Sequence, residues 1–222
     1  NNRNRYTLGK SGETNRFELQ PTNEERDLGV LITPDFKFSA QASLAASKSN
    51  SILGMLKHTF VSRDVEIWTT LYRTYVRPHL EFAVSAWNPF LKRDILTLEK
   101  VQRRATRLPK AIRGLSYEER LERMKMTPLE IRRIRGDLIQ MYKVKRELDN
   151  IAWYSTPSWS APRSGRRQQL RRGIVSSCQQ RHNVFLNRVA PSWNALPDDV
   201  VNADKIENFK MKLDNFMTRW PL

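Results

Sequence analysis

The pattern of apolar and polar residues predicts helices over most of the chain after residue 36. In residues 65–76 apolar residues return every three or four positions, which is the spacing of one buried helix face. These residues are Ile67 or Trp68, Leu71, Tyr72, Tyr75 and Val76. Pro78 lacks a backbone N–H, so we expect it to disturb this helix near its end. Residues 94–108 repeat the spacing with Ile95, Leu98, Val101, Ala105 and Leu108.

Capping residues predict where the other central helices begin. Ser39 can cap a helix that runs to about His58. Its expected buried side is Ala42, Ala45, Ile52, Met55 and Leu56. Ser116 with Glu119 forms one capping box, and Thr127 with Glu130 forms a second, which has Pro128 at the first helical position. The long helix after Pro128 has an apolar stripe of Ile131, Ile134, Leu138 and Met141.

The two ends of the chain differ in their pattern. Residues 182–194 predict an amphipathic helix with Phe185, Val189 and Trp193 inward. Asp204 with Glu207 is expected to cap a last helix, in which apolar residues recur at helical spacing. Residues 1–36 instead read as short strands: two of them flank Gly9–Gly12 as a hairpin, and residues 28–32 form a buried strand. The predicted fold is mainly α, a helical bundle with a small N-terminal β element and a basic extended arm.

Charge is the strongest feature of the composition. The chain has 39 Lys and Arg against 23 Asp and Glu, a formal net charge of +16. Residues 92–150 hold 17 basic against 9 acidic residues, and residues 151–197 hold 7 basic residues and no acidic one. This concentration is expected when one side of a molecule faces a polyanion. On charge alone, a membrane surface or an acidic protein would serve almost as well as nucleic acid.

Two predicted helices carry rows of cations that suit a phosphate backbone. Arg and Lys neutralise phosphates and release counterions, which favours binding. In and just after the helix of residues 94–108 these are Lys100, Arg103, Arg104, Arg107 and Lys110. In the helix after Pro128 they are Arg132, Arg133 and Arg135. The alternative interpretation is a solvated helix face that binds nothing.

Residues 151–181 predict an extended arm, because prolines, serines and arginines replace the helical pattern. Its candidate phosphate contacts are Arg163, Arg166, Arg167, Arg171 and Arg172. Trp159, close to Trp153 and Tyr154, could stack on a base. The other interpretation is that these aromatic residues anchor the arm on the helical body. We expect the part of the arm from Pro157 to Arg172 to be mobile in the free protein and ordered on nucleic acid.

Short runs of sequence in a fixed order carry a resemblance to a known family. The central runs are Leu71–Tyr72, Val76–Phe82, Trp87–Pro89 and Leu98–Thr106. Further runs are Glu25–Val30, Leu115–Leu121, Arg135–Ile139 and Trp193–Pro197. Together they resemble the region after the palm in reverse transcriptases of non-LTR (LINE-type, jockey-like) retrotransposons. The Arg-Gly dipeptide that is usual in the family near the arm corresponds only loosely to residues 163–166.

The resemblance implies a division of the chain and a role. Residues 1–36 would be the tail of the palm, 37–150 a thumb-like helical domain, 151–181 the basic arm and 182–222 a C-terminal helical segment. The full-length family protein is an RNA-directed DNA polymerase. This chain would grip RNA or an RNA–DNA duplex, with an upstream polymerase or endonuclease region as a further partner. The alternative is a structural module, derived from a retrotransposon fragment, whose basic face meets an acidic protein.

The sequence assigns no catalytic residue, metal or cofactor to this chain. The paired aspartates that hold metal ions in such polymerases are not found in their usual context. Asp198-Asp199 follows Leu196-Pro197 and matches the family's C-terminal segment instead. No apolar run approaches the ~20 residues of a membrane span, and no stretch resembles a signal peptide. The lone Cys178 fits a reducing compartment, so we expect an intracellular protein, nuclear or cytoplasmic.

Overall fold

A computed structural model describes residues 7–8, 17–153, 156–161 and 168–218. The fold is mainly helical with short strands near the N-terminus, as predicted. The longer helices are α1 (Ser39–Thr59), α2 (Val65–Leu71), α4 (Lys92–Ala105), α5 (Tyr117–Arg123), α6 (Leu129–Lys145), α8 (Phe185–Asn194) and α10 (Ile206–Met217). Three short ones are α3 (Arg77–Glu81), α7 (Gln179–His182) and α9 (Asp198–Val201).

The strands form two antiparallel pairs. β1 (Thr7–Leu8) pairs with β2 (Phe17–Glu18), and the predicted connection at residues 9–12 lies outside the described residues. β3 (Glu25–Asp27) pairs with β4 (Val30–Ile32). The prediction that Leu28 belongs to a buried strand is wrong: Leu28 and Gly29 form the turn, with φ of 45° and 86°. Two successive positive φ values match the twist of a tight hairpin, and they leave Leu28 exposed.

Helix α1 packs along α4 through small side chains. Ala42, Ala45 and Ala46 are buried at this contact, and their size lets the two backbones approach closely. The prediction that Met55 is buried is wrong, since Leu53 takes the inward position. The prediction that Ser39 caps α1 is also wrong. Its hydroxyl donates to Asp94 at the start of α4, 2.6 Å away, and so joins the two helices.

The disturbance predicted near Pro78 is a π-helical turn, Tyr72–Val76, between α2 and α3. Pro78 cannot donate to the carbonyl four residues earlier, and a wider turn accommodates the missing bond. The extra residue in the turn rotates the helix face. Trp68, Leu71, Tyr72 and Val76 are buried, whereas Tyr75, predicted to be inward, is exposed.

Two apolar clusters fill the interior. One joins residues from Val30 to Leu129 and the other joins residues from Leu138 to Leu213. Helix α6 contributes to both clusters, so the change from one cluster to the other falls inside that helix. In the second cluster Tyr142 stacks on Phe209, with ring centroids 4.3 Å apart.

Of the three other predicted caps, one is confirmed and two are wrong. Ser116 and Glu119 form the predicted capping box at α5. Helix α6 has no side-chain cap from Thr127, because the Leu129 amide donates to the buried carboxylate of Glu99, 3.0 Å away. Helix α10 begins after Lys205 without a side-chain cap. The predicted helix at 182–194 is α8, which starts only at Phe185.

Candidate nucleic-acid interface

Four of the cations predicted on α4 lie together in one groove. Lys100, Arg103, Arg104 and Arg107 line a concavity of about 500 Å³ at the C-terminal ends of α1 and α4. Lys57, from the last turn of α1, and Arg113, just after a 3₁₀ turn at Lys110–Ile112, complete the lining with Leu108. We call this the basic groove. Lys110 is exposed beside it in sequence but does not line it.

The periodicity of α4 explains why its cations point outward. Leu98, Val101 and Ala105 are buried against α1 and the rest of the first cluster. The two acidic residues of α4, Asp94 and Glu99, are also buried. The outer face of the helix therefore presents cations without a carboxylate of its own.

In the described residues, the groove cations lie beyond ion-pair distance of any carboxylate. Within the described ranges, none of the six makes an ion pair with a carboxylate. Arg104 donates to the amide oxygen of Asn50 at 2.7 Å. The guanidinium of Arg103 lies over the ring of Tyr117, 4.3 Å from its centroid. Neither contact neutralises charge, so the groove concentrates positive potential.

A buried hydrogen-bond network fixes Tyr117 under Arg103. The Tyr117 hydroxyl donates to Glu99, and the amide of Gln102 donates to the Tyr117 oxygen at 2.9 Å. Tyr72 in turn donates to Gln102 at 2.8 Å. Burial raises the pKa of Glu99, although the hydrogen bonds from Tyr117 and Leu129 oppose this. The network holds the buried face of α4 by hydrogen bonds, while the other face is exposed to solvent.

Two further arginines satisfy backbone carbonyls near the groove. Arg63 donates to the carbonyl of Lys57 at 2.9 Å and of Ser62 at 3.0 Å, which satisfies a group left free at the end of α1. Arg120 donates to the Thr106 hydroxyl at 3.1 Å and to the Leu115 carbonyl. The six groove cations are therefore not needed for these structural bonds.

The cations predicted on α6 have different surroundings. Arg132 forms a two-point ion pair with Glu81, and Arg135 forms one with Asp214 at 2.5 and 2.9 Å. Arg133 is buried, 3% exposed, so its assignment as a phosphate contact is corrected. None of the three belongs to the basic groove.

Arg133 acts as a structural cross-link. It donates to the Trp87 carbonyl at 3.0 Å, to Asn88 at 2.9 Å and to the Leu80 carbonyl. Its guanidinium also lies 4.2 Å from the Trp87 ring centroid. Burial lowers the pKa of Arg133 to about 10, which still leaves it charged at neutral pH.

The described part of the arm is anchored on the helical body. Trp159 pairs with Leu170 in a β-bridge and meets Trp193 edge-on, with centroids 6.5 Å apart. Trp153 stacks on Phe185. These contacts favour the anchoring interpretation of the aromatic residues over base stacking.

The arm's arginines are only partly described. Arg171 and Arg172 are exposed, and Arg172 contacts the ring of His182. Arg163, Arg166 and Arg167 lie outside the described residues.

A larger concavity, of about 970 Å³, lies away from the groove, between β3–β4, the end of α3 and α7–α8. Aromatic rings such as Phe36, Phe82 and Phe90 dominate its walls. Arg188, in its lining, forms a two-point ion pair with Asp137, with nitrogen–oxygen distances of 2.8 and 2.9 Å. These walls do not suit a phosphate backbone.

In the described part of the chain, no three His, Cys, Asp or Glu side chains cluster closely enough to hold a metal ion. Asp198 and Asp199 lie in the first turn of α9. Among the same residues no helix has the length and apolar character needed to cross a membrane. No family model, curated protein or solved structure matches the chain. Function can therefore be inferred only from the chain's own residues.

Proposed function

We propose that this chain binds nucleic acid through the basic groove and performs no chemistry on it. The observation that carries the proposal is that six cations share one concavity without an ion pair to a carboxylate in the described residues. Such a set gains most from phosphates, because each contact releases counterions from the nucleic acid. A merely solvated face would not need to converge in a groove.

The family resemblance supports the same role. The run Leu98–Thr106, which carries part of the resemblance, forms most of α4 and supplies Lys100, Arg103 and Arg104 to the groove. We therefore propose a thumb-like part of a reverse-transcriptase-like protein, which holds RNA or an RNA–DNA duplex. The polymerase chemistry of the resembled family would not belong to these residues.

The test compares two variants that remove the same number of charges. Arg103→Ala with Arg107→Ala removes two groove cations. Arg26→Ala with Arg123→Ala removes two exposed arginines outside the groove. Binding of a 20-base-pair RNA–DNA duplex is measured by fluorescence anisotropy at several salt concentrations. The log–log salt slope of the wild type should correspond to several phosphates, and the groove variant should reduce it by about two.

The control variant should keep the wild-type slope to within about half a unit, because counterion release depends on direct phosphate contacts. Equal losses in the two variants would mean that net charge alone attracts the duplex. Salt-insensitive binding to an acidic protein, without duplex binding, would support the interaction-module alternative instead. Circular dichroism of both variants establishes that the fold is intact.

A further inference from the structure

A second cationic concavity lies between the π-helical turn, the loop before α6 and the end of α10. Its volume is about 400 Å³, and it shares no residue with the basic groove. Five cations line it: Arg73, Arg77, Lys125, Arg132 and Arg135. They come from segments far apart in sequence, so the tertiary fold assembles the cluster.

The carboxylates at this concavity are too few to neutralise it. Glu81 serves two guanidinium groups: Arg132 binds it at two points, and the Nε of Arg77 lies 3.7 Å from it. Asp214 forms an ion pair with Arg135. Asp214 lines the concavity, and Glu81 pairs with two of its cations without lining it. Two carboxylates therefore offset five cations, which leaves an excess of three positive charges.

The lowered pKa of Arg77 reflects its burial and this excess of positive charge. Burial lowers the pKa of Arg77, and the like charge of Arg132 lowers it further, although Glu81 acts in the opposite direction. Arg73 is also incompletely used. One of its terminal nitrogens donates to the Met124 carbonyl at 2.9 Å and to the Lys125 carbonyl, but its Nε is buried and has no partner. An anion bound in the concavity would relieve the repulsion between Arg77 and Arg132 and offer their guanidinium groups a further acceptor.

We infer that this concavity is a binding site for the phosphate group of a small phosphorylated ligand. A phosphate supplies two negative charges and several acceptor oxygens, whereas a single carboxylate would leave most of the excess charge uncompensated. Beside the cations, Met126, Ile131 and Met217 form an apolar wall that could receive the ligand's organic part. The phosphates of nucleic acid share this chemistry, and the experiment distinguishes the two sources.

The probe is pyrophosphate, measured by calorimetry at constant ionic strength in the Arg103→Ala/Arg107→Ala background, which weakens the basic groove. We expect saturable binding with one site. Arg77→Met should bind about tenfold more weakly, since a charge-assisted hydrogen bond is lost. In the absence of pyrophosphate, the free energy of unfolding of Arg77→Met should be at least that of its parent. The substitution removes the repulsion between Arg77 and Arg132, and the ion pair between Arg132 and Glu81 remains. Equal pyrophosphate affinity in the two proteins, or no binding beyond that of chloride, would overturn the inference.

Competition with duplex separates the two sources of phosphate. In the protein with an intact groove, saturating RNA–DNA duplex should leave pyrophosphate affinity unchanged if the site takes a free phosphorylated compound. If the duplex displaces pyrophosphate and Arg77→Met also weakens duplex binding, the assignment to a small ligand is overturned in favour of the nucleic-acid backbone. The inference does not depend on the proposed function: loss of duplex binding in the groove variant alone leaves it untouched.

Discussion

Helices α4 and α6 look alike in sequence but use their arginines in opposite ways. Both are amphipathic and strongly basic. On α4, Lys100, Arg103 and Arg104 stand in a groove, and in the described residues none of them forms an ion pair with a carboxylate. On α6 one arginine is buried and two are paired with Glu81 and Asp214. A basic stripe therefore keeps cations without ion pairs only where the rest of the fold brings no acid to it.

The origin of the difference is where the acids lie. Both acidic residues of α4 are buried, and Glu99 accepts hydrogen bonds there from the Tyr117 hydroxyl and the Leu129 amide. The acids that pair with α6 come from α3 and α10, 51 and 79 residues away in sequence. Local periodicity sets the first arrangement, whereas tertiary packing sets the second.

The largest effect expected from this comparison is the loss of Arg133. In Arg133→Met the carbonyls of Leu80 and Trp87 and the side chain of Asn88 lose a charged donor in the interior. We expect the free energy of unfolding in urea to fall by about 3 kcal/mol. The matched variant Arg104→Met, on the exposed face of α4, should change it by less than about 0.5 kcal/mol.

For the same two variants, we expect the losses of duplex affinity to be in the opposite order to the losses of stability. Folded Arg133→Met should bind duplex as the wild type does, whereas Arg104→Met should bind more weakly, because only Arg104 lines the groove. If Arg133→Met lost affinity while remaining folded, the two helices could not be separated into structural and binding roles.

A second test concerns the buried side of α4 and uses pH. Because burial raises the pKa of Glu99, the folded carboxyl keeps its proton to a higher pH than the unfolded one, whose ordinary value is 4.5. The folded state therefore binds more protons in this window, and its stability falls as the pH rises through the folded pKa. In Glu99→Gln this contribution is absent.

The measurement is the difference in unfolding free energy between wild type and Glu99→Gln from pH 4.5 to 8. The wild type should become less stable relative to the variant as the pH rises, with a plateau above the folded pKa. A difference that is constant with pH would mean that hydrogen bonds from Tyr117 and Leu129 fully offset the burial of the charge. The buried side of α4 would then have no electrostatic cost.

Local signals in the sequence were sufficient for α4 but not for its surroundings. The spacing of Leu98, Val101 and Ala105 correctly predicts which side is buried and hence which cations share a face. Lys57 and Arg113 could not be assigned to the same groove, because no local pattern shows that α1 ends beside α4. For the same reason, the cap predicted from Thr127 fails: the acceptor for the Leu129 amide is Glu99, 30 residues earlier.

For some of the incorrect predictions, the local sequence did contain an indication of the observed structure. Asp27-Leu28-Gly29-Val30 contains a glycine where a tight turn needs positive φ, so a hairpin could have been read instead of a continuous strand. Pro78 signals a disturbance of the helix but not its form. Only the structure shows a π-helical turn that moves Tyr75 to the surface. The aromatic residues of the arm have no such signal, since Trp193, which packs against Trp159, lies 34 positions away.

The smallest expected effect tests whether pairing alone keeps α6 from acting as α4 does. Asp214→Asn frees Arg135 from its partner. The Asp214 side chain is 52% exposed, so the salt bridge is solvent-screened and its loss should cost less than about 1 kcal/mol of stability. Duplex affinity should stay near that of the wild type, because Arg135 does not line the basic groove. Pyrophosphate affinity should rise about threefold, since one negative charge leaves the second concavity. A comparable rise in duplex affinity would contradict this expectation, because it would show that the freed Arg135 can reach nucleic acid. The ion pair of Arg135, and not the position of α6, would then account for the difference between the two helices.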